Sequence, residues 1–511
     1  MSSYQHFTLF IIILFSVSSL SAQKVKWSKL HKKDGIFSIV YPVSLTDNEY
    51  FVVSRPKKQN EVLIYDLNHK LKSVKQVDLG RDKKGAVMTE VFETAGGAYV
   101  IYNWQNKPKK QMEIYAAPFK DGKIGKAKRI HSHDFKSKGS FVGMLNLATL
   151  ANAERFGGLI QSADKTKIAY VSYTSSESNK RYDELSIAVF DQNLNTLWKK
   201  TKDFPYKDKN LSITQIMLNN SGDVFASTAI LKRKLFDDDK EPDYGFQIFQ
   251  ISEDREDDFI FDLEEGSFPY TIGLTYEGKD ELNIVGTYTT GEYKGNLTGV
   301  FFGTLNVNTG DFDNRVYPFE KSFLEGLIKK RKIKKDKGLE TSYYIKHVIK
   351  FADGSHSFIA EKYYVEISSQ YVNGSWQNNT VYNSDEIIIP HFSPDGTLEN
   401  IEKIEKDYGS SFENFTSYAF IVKDKKIILI YNDSKKRSER KDLGGAKNAL
   451  YTDLTIIGED GKIESQKTLF TSKDDNVDTY FCPGLTLKND NKILIFGYSG
   501  LKKYKFGLIE F

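Results

Sequence analysis

The residues of this chain that could do chemistry are few, and the densest group lies between Val365 and Asp385. Tyr371 and Trp376 sit there among Ser and Asn residues, directly after Tyr363 and Tyr364. Aromatic rings beside amides and hydroxyls suit the faces of sugars or the side chains of a bound peptide. A plain polar loop has the same composition. Tyr102 and Trp104 are of the same types and could extend that surface.

Other candidate groups lack a member. His131 and His133 would point the same way on a strand, and paired imidazoles can hold a transition metal, but no third ligand accompanies them. His347 shares a strand face with Ile345 and Ile349 and reads as a core histidine. Asp237, Asp238, Asp239 and Asp243, and separately Asn306, Asn308, Asp311 and Asp313, are rich in oxygen without the spacing of a calcium loop. In Gly497-Tyr498-Ser499-Gly500 a nucleophile elbow is incomplete, because Leu501 stands where the closing glycine belongs. No phosphate loop, dinucleotide fingerprint or metalloprotease helix occurs in the sequence. The sequence therefore assigns no catalytic residue, metal or cofactor.

Lys321 to Lys335 has helical spacing, with Phe323, Leu324, Leu327 and Ile328 on one face. Lys329, Lys330, Arg331 and Lys332 crowd its far end, where cations complement a helix dipole. They form either a solvated tail or a peripheral contact with an anionic envelope surface. A dedicated nucleic-acid binder is not expected, since 72 basic residues are balanced by 68 acidic ones and the net charge is only +4. Cys482 is the single cysteine, which excludes an intrachain disulfide and a cysteine-based zinc site.

The elements that must position these residues are strands. Aromatics make up 14% of the chain, led by 35 Phe and 30 Tyr, a composition that favours sheets. Eight hairpins are marked by Asp47-Asn48, Gly96-Gly97, Asp164-Lys165, Ser221-Gly222, Glu277-Gly278, Asp353-Gly354, Asp424-Lys425 and Asp490-Asn491. Such residues tolerate positive φ or bond their own backbone. A strongly apolar strand follows each turn, as in Ile427 to Tyr431 and Ile493 to Phe496. Runs without alternation fit strands buried on both faces. Seven outer turns recur between them, near Asn68, Asp121-Gly122, Asn193, Asp254, Thr309-Gly310, Asp395-Gly396 and Asp460-Gly461.

This pattern predicts an all-β chain: a β-propeller of eight four-stranded blades, or seven if one unit is misread. The last unit ends one strand short, and Lys24 to Leu30 would supply it, closing the ring and removing both edges. Two β-sandwiches are the competing architecture. The long connections, including Leu231 to Asp243, Val365 to Asp385 and Asp433 to Leu450, would then emerge on one face. Ahead of the propeller (residues 23–511), residues 1–22 read as a signal peptide, with an apolar run from Phe7 to Val17 followed by small residues. No later segment is long and apolar enough to span a membrane as a helix. An exported protein is expected, in the periplasm, at the outer membrane or outside the cell.

Glu361-Lys362-Tyr363-Tyr364, Asp385 to Ile389, Pro394-Asp395-Gly396, Tyr431-Asn432-Asp433 and the ending Lys503 to Gly507 together resemble uncharacterised secreted proteins of the Bacteroidota. Glu405-Lys406-Asp407-Tyr408 departs from the basic residue and glutamine expected there. The turn pattern also resembles TolB-like and WD40-like repeats. Neither resemblance implies a catalytic residue. The functional expectation is a non-enzymatic binder of a protein or glycan through the long-loop face. A carbohydrate-active enzyme with paired carboxylates at the channel and a structural component of the envelope are the alternatives.

Overall fold

The computed structural model describes residues 24–33, 39–55, 61–76, 86–120, 123–134, 157–174, 182–207, 211–231, 244–264, 266–278, 280–290, 296–333, 338–372, 375–434, 450–472, 480–499 and 502–511. They are nearly all strand, and the strands pair antiparallel with their neighbours in sequence. We number the sheets in chain order. Sheet 1 runs Ile39–Leu45, Glu49–Arg55, Glu61–Asp66 and Leu71–Gln76; sheet 2 runs Val87–Thr94, Gly97–Asn106, Gln111–Lys120 and Lys128–Asp134. Sheet 3 is Gly157–Gln161, Lys167–Thr174, Tyr182–Asp191 and Thr196–Lys207, and sheet 4 is Leu211–Leu218, Val224–Leu231, Tyr244–Ile251 and Glu256–Ile260. Sheet 5 is Ser267–Gly278, Glu281–Thr290, Gly299–Asn306 and Phe312–Pro318; sheet 6 is Tyr343–Lys350, His356–Val372, Ser375–Phe392 and Leu398–Ile404. Sheet 7 is Tyr418–Lys423, Lys426–Asp433, Tyr451–Ile457 and Ile463–Thr471.

Sheet 8 draws on both ends of the chain. Tyr480–Phe481 and Leu487–Asn489 pair with Lys492–Ser499, which pairs with Lys503–Glu510. The outer side of Lys503–Glu510 takes Lys26–Trp27 and His31–Lys32, with Lys26 opposite Leu508 and His31 opposite Tyr504. Ser28 strengthens the pairing: its amide donates to the Phe506 carbonyl at 2.8 Å, and its hydroxyl accepts from the Phe506 amide at 3.0 Å.

The turns that the sequence marks do connect these strands, apart from Asp121-Gly122, which lies outside the described residues, and local chemistry explains several of them. Asp191 Oδ1 accepts from the amides of Asn193 and Asn195, and Asp66 Oδ1 does the same for Asn68 and Lys70. The apolar cores lie between sheets rather than within one. Ile427, Leu429 and Tyr431 pack against Ile387 and Ile389 of sheet 6, while Ile428 and Ile430 pack against Ile493 and Ile495 of sheet 8. Alternate side chains of one strand thus enter two different cores, so the strand has no polar face and reads as an unbroken apolar run. The same sharing joins sheets 2 and 3, 3 and 4, 4 and 5, and 5 and 6, and one cluster joins sheet 8 to sheets 1 and 2.

Two elements differ from the reading of the sequence. The expected helix from Lys321 to Lys335 is two four-residue turns, Lys321–Leu324 and Lys330–Ile333, with Leu324 and Ile333 buried. Gly326 between them takes φ 89°, which ends the first turn; residues 334–337 lie outside the described residues. The expected loop from Val365 to Asp385 is instead strand: it belongs to the paired strands His356–Val372 and Ser375–Phe392. Asn373 and Gly374, between the two strands, lie outside the described residues; in sequence they are a dipeptide that favours the tightest hairpins. The signal-peptide segment 1–22 and the loops at 232–243 and 435–449 also lie outside the described residues.

Candidate binding site

A cavity of about 1140 Å³ is lined by the first strands of sheets 1 to 7 and by Pro483 to Lys488 of sheet 8. Its wall includes Tyr41, Thr89, Leu159, Gln215, Ile272, Lys346, Ser417 and Pro483. Glu413 is the sole carboxylate among the described lining residues, beside Lys346, Lys350 and Lys488. The two facing acids that glycoside hydrolysis requires are not found among them. His347 is in this wall, half-buried with its ring 4.4 Å from Phe420, rather than sealed in a core.

Behind the Lys346 side of the cavity lies a buried ionic cluster. Glu361 and Lys406 are both fully buried. Lys406 Nζ donates to Glu361 Oε1 and to Ser384 Oγ, each at 2.5 Å, and to the Ser417 carbonyl at 3.2 Å. Lys346 Nζ pairs with Glu361 Oε2 at 2.9 Å and donates to Ser417 Oγ at 3.1 Å. Burial by itself would raise the Glu361 carboxyl; Lys346, Lys406 and the donated hydrogen bonds outweigh it and hold the group down at about 2. The carboxylate is therefore ionised, and the Ser–Lys contact is sealed from solvent with both side chains at 0% exposure.

Residues 363–372 and 375–384 of the paired strands His356–Val372 and Ser375–Phe392 extend from this cluster as a two-stranded ribbon. Glu361 is on its first strand and Ser384 on its second, and a register shift between Glu361 and Tyr363 re-aims the backbone at its root. Beyond the root, cross-strand pairs sort by face. Val365 opposite Tyr382, Ile367 opposite Thr380, Ser369 opposite Asn378 and Tyr371 opposite Trp376 make one face; Glu366 opposite Val381, Ser368 opposite Asn379 and Gln370 opposite Gln377 make the other. The first carries the large apolar side chains, which are open to solvent, with Ile367 70%, Tyr371 65% and Trp376 71% exposed. The Tyr371 and Trp376 rings meet edge to face at 5.4 Å. At the root of this face the Tyr363 hydroxyl donates to Glu413 Oε1 at 3.0 Å, and Lys346 Nζ lies 5.0 Å from the Tyr363 ring. The apolar face thus runs from the tip of the ribbon to the rim of the cavity.

On the opposite side, Lys362 Nζ is 3.6 Å from Glu340 and Glu386 and 3.8 Å from Asp385. Burial and the neighbouring Glu386 push the Asp385 carboxyl up to about 6, against the pull of Lys362. Tyr364 borders this group, with Lys362 Nζ 5.9 Å from its ring.

Four of the six aromatic residues singled out from sequence, Tyr363, Tyr364, Tyr371 and Trp376, therefore belong to the ribbon and its root. The other two do not join them. Tyr102 is fully buried in the core shared by sheets 8, 1 and 2, and Trp104 is half-buried in sheet 2 opposite Glu113. Tyr102 points inward because its neighbours on that strand face, Val100 and Met88 across the pair, are core residues. His131 and His133 lie with rings 5.9 Å apart against Tyr170, and no metal-holding group of three ligands occurs among the described residues. Lys332 pairs with Glu340 at 3.2 Å, so the basic run is not one free cationic face. Sequence reading missed Glu361, Ser384, Lys406 and Glu413. Glu361 and Lys406 stand in segments noted for the family resemblance, but their pairing spans 45 positions and leaves no local pattern.

No family model and no curated protein matches this sequence. Among solved structures, the chain is similar to the β-propeller domain of the Trilobed protease from Pyrococcus furiosus, at 11% identity and a TM-score of 0.38, over 86% of this chain and 99% of that one. It is similar also to the WD40 domain of SCAP from fission yeast, at 9% identity and a TM-score of 0.37 over 96% of each chain. A polysaccharide lyase, a PL25 ulvan lyase, matches at 10% identity and a TM-score of 0.35, over 82% of this chain and 91% of that one. These neighbours are propeller and WD40-type domains and enzymes.

Proposed function

We propose that the chain is an exported, eight-bladed propeller, closed by its own ends, that binds a protein or glycan partner through the ribbon of sheet 6. Support for the ring comes from the cavity that the first strands of sheets 1 to 7 share with Pro483 to Lys488 of sheet 8, and from the pairing of Lys26–Trp27 with Lys503–Glu510. Support for export comes from the apolar run and small residues of the first 22 positions.

The observation that carries the binding role is the open Tyr371–Trp376 pair. Two large aromatic side chains at 65% and 71% exposure, at the tip of a ribbon anchored by buried charges, pack on each other and join none of the buried cores of the described residues. Exposed aromatics on a rigid support are typical anchors of recognition. The test is the double variant Tyr371→Ala, Trp376→Ala of the mature chain, assayed on a glycan array and against a panel of envelope proteins. Binding of the wild-type partner should weaken at least tenfold, on the order expected for an aromatic hot spot, with the melting temperature unchanged. A partner bound equally well by both proteins refutes this site.

A further inference from the structure

Beyond its root, the ribbon is a two-stranded sheet with two open edges. Among the described residues, no strand pairs with the outer side of 365–372, and Tyr408–Ser410 reaches only as far as Tyr382 on the other side. Every second residue along such an edge presents an outward N–H and C=O. Soluble proteins ordinarily guard long edges with charge, proline or bulges. Here the twenty positions from Val365 to Ser384 carry a single charged side chain, Glu366, and no proline, in a chain of 27% charged residues.

The composition of the faces narrows the occupant. A sugar platform needs an aromatic plane ringed by hydrogen-bonding groups. On this face the aromatic tip is flanked by hydrogen-bonding groups on one side only, Ser369 opposite Asn378, and the aliphatic side chains of Ile367, at 70% exposure, and Val365, at 43%, fill the rest as far as Tyr363. Apolar side chains at alternate positions beside an unpaired backbone edge are complementary to another strand patterned the same way. Self-pairing of two copies through the ribbons alone would bury too little. Eight residues at ~3.3 Å each give a strip of roughly 26 Å by 10 Å per copy, or about 520 Å² in all, well below the ~1,200 Å² total of a stable dimer, whereas a peptide strand there needs to be held only transiently.

We infer that the ribbon captures an extended polypeptide segment of a partner protein by strand addition, taking a stretch of about seven residues that is apolar at alternate positions and uncharged. This rests on the reading of the ribbon as the binding element and names the class of partner. Main-chain hydrogen bonds along the edge would supply affinity, and the Ile367–Tyr371–Trp376 face would select the apolar side chains.

The experiment selects displayed random peptides of roughly ten residues, long enough for one added strand, on the immobilised mature chain. The selected peptides are then measured on a variant in which residues 366–381 are replaced by an Asn-Gly turn. Backbone amide exchange of 364–372 and 375–382 is followed with and without peptide, and glycan binding and sedimentation are recorded for both proteins. The expected result is enrichment of alternating apolar sequences, at least a tenfold loss of affinity in the shortened variant, and slowed exchange at alternate ribbon amides. Ribbon-dependent glycan binding without peptide binding overturns this inference while leaving the ribbon as the binding element. Ribbon-dependent dimers overturn it in favour of a second copy. A selection that yields no peptide, or peptides held equally well by the shortened variant, also overturns it.

Discussion

Glu361→Gln is the most direct test of how this structure holds its ribbon. Glutamine keeps the size of the side chain and an acceptor but removes the charge that two lysines share. In the wild-type protein the carboxyl is lowered from 4.5 to about 2. At ~1.4 kcal/mol per pK unit, that corresponds to about 3 kcal/mol of stability at neutral pH. Loss of one member of a buried pair gives a similar figure, ~3–5 kcal/mol, because burial already lowers the Lys406 ammonium and glutamine no longer offsets that cost. With an unfolding entropy of ~2.1 cal/mol/K per residue, a chain of 511 residues has roughly 1 kcal/mol/K at its midpoint. The melting temperature should therefore fall by about 3–5 °C at pH 7.

The pH dependence separates this cause from a packing defect. A carboxylate whose pKa is depressed by folding stabilises the fold above its unfolded value, and the effect fades as pH falls from about 4.5 toward 2. The gap between wild-type and variant midpoints should be full at pH 7, clearly smaller at pH 3, and near zero at pH 2. Scanning calorimetry at these values reads it. A gap under ~1 °C at pH 7, or one that stays constant down to pH 2, would refute the account of Glu361 as the charge that holds Lys406 and Lys346.

Two further outcomes follow from the seam between the chain ends and from one turn. His31 stacks on Tyr504 at 5.2 Å, and His69 donates from Nε2 to the Lys26 carbonyl (2.7 Å) and accepts at Nδ1 from the Tyr50 hydroxyl (2.9 Å). Burial lowers His31 to about 4, helped by Lys29 and His69, and it lowers His69 as well. Because both are neutral in the fold, stability should decline as pH falls from about 6.5 toward 4. His31→Phe should flatten that decline by about 1–2 kcal/mol, a figure discounted for the partial exposure of the ring; an unchanged pH profile in thermal melts would count against the seam. Gly396→Ala should cost about 2–4 kcal/mol in the same measurement, since φ is 82° and an added Cβ would meet the Phe302 ring. A neutral result would mean that the turn after sheet 6's third strand is looser than described.

What could be read from the sequence, and what could not, divides by distance along the chain. The inner and outer turns were legible because each is decided within five residues by side chains such as Asp191 and Asp66 that bond their own backbone. The apolar runs were legible because each strand feeds two cores. Residues 365–385 misled because Ser, Asn and Gln look like loop by composition. The alternation of Val365, Ile367 and Tyr371 and the Asn373-Gly374 dipeptide were the contrary signals. Lys321 to Lys335 misled because its spacing is helical while Gly326 breaks it. Tyr102 and Tyr371 are the same residue with opposite fates, and only the neighbour across the pair, Met88 or Trp376, distinguishes core from surface.

The buried cluster and the open ribbon are two halves of one device. A two-stranded ribbon has no core of its own and is marginal in water, and a slip of one residue would turn its apolar face to the opposite side. A buried ion pair is a poor source of net stability, since well-packed apolar residues often do as well, but it is demanding about geometry. Lys406 is satisfied only when Glu361 of one strand and Ser384 of the other are both within reach, together with the Ser417 carbonyl from sheet 7. Any other register would leave a fully buried charge unpaired, at a cost of several kcal/mol. The charges therefore fix which face of the ribbon carries Ile367, Tyr371 and Trp376, and they tie that choice to the adjoining sheet. A protein that displays an unpaired edge and an apolar face to solvent needs that face aimed in one direction, and the root of sheet 6 supplies the aim.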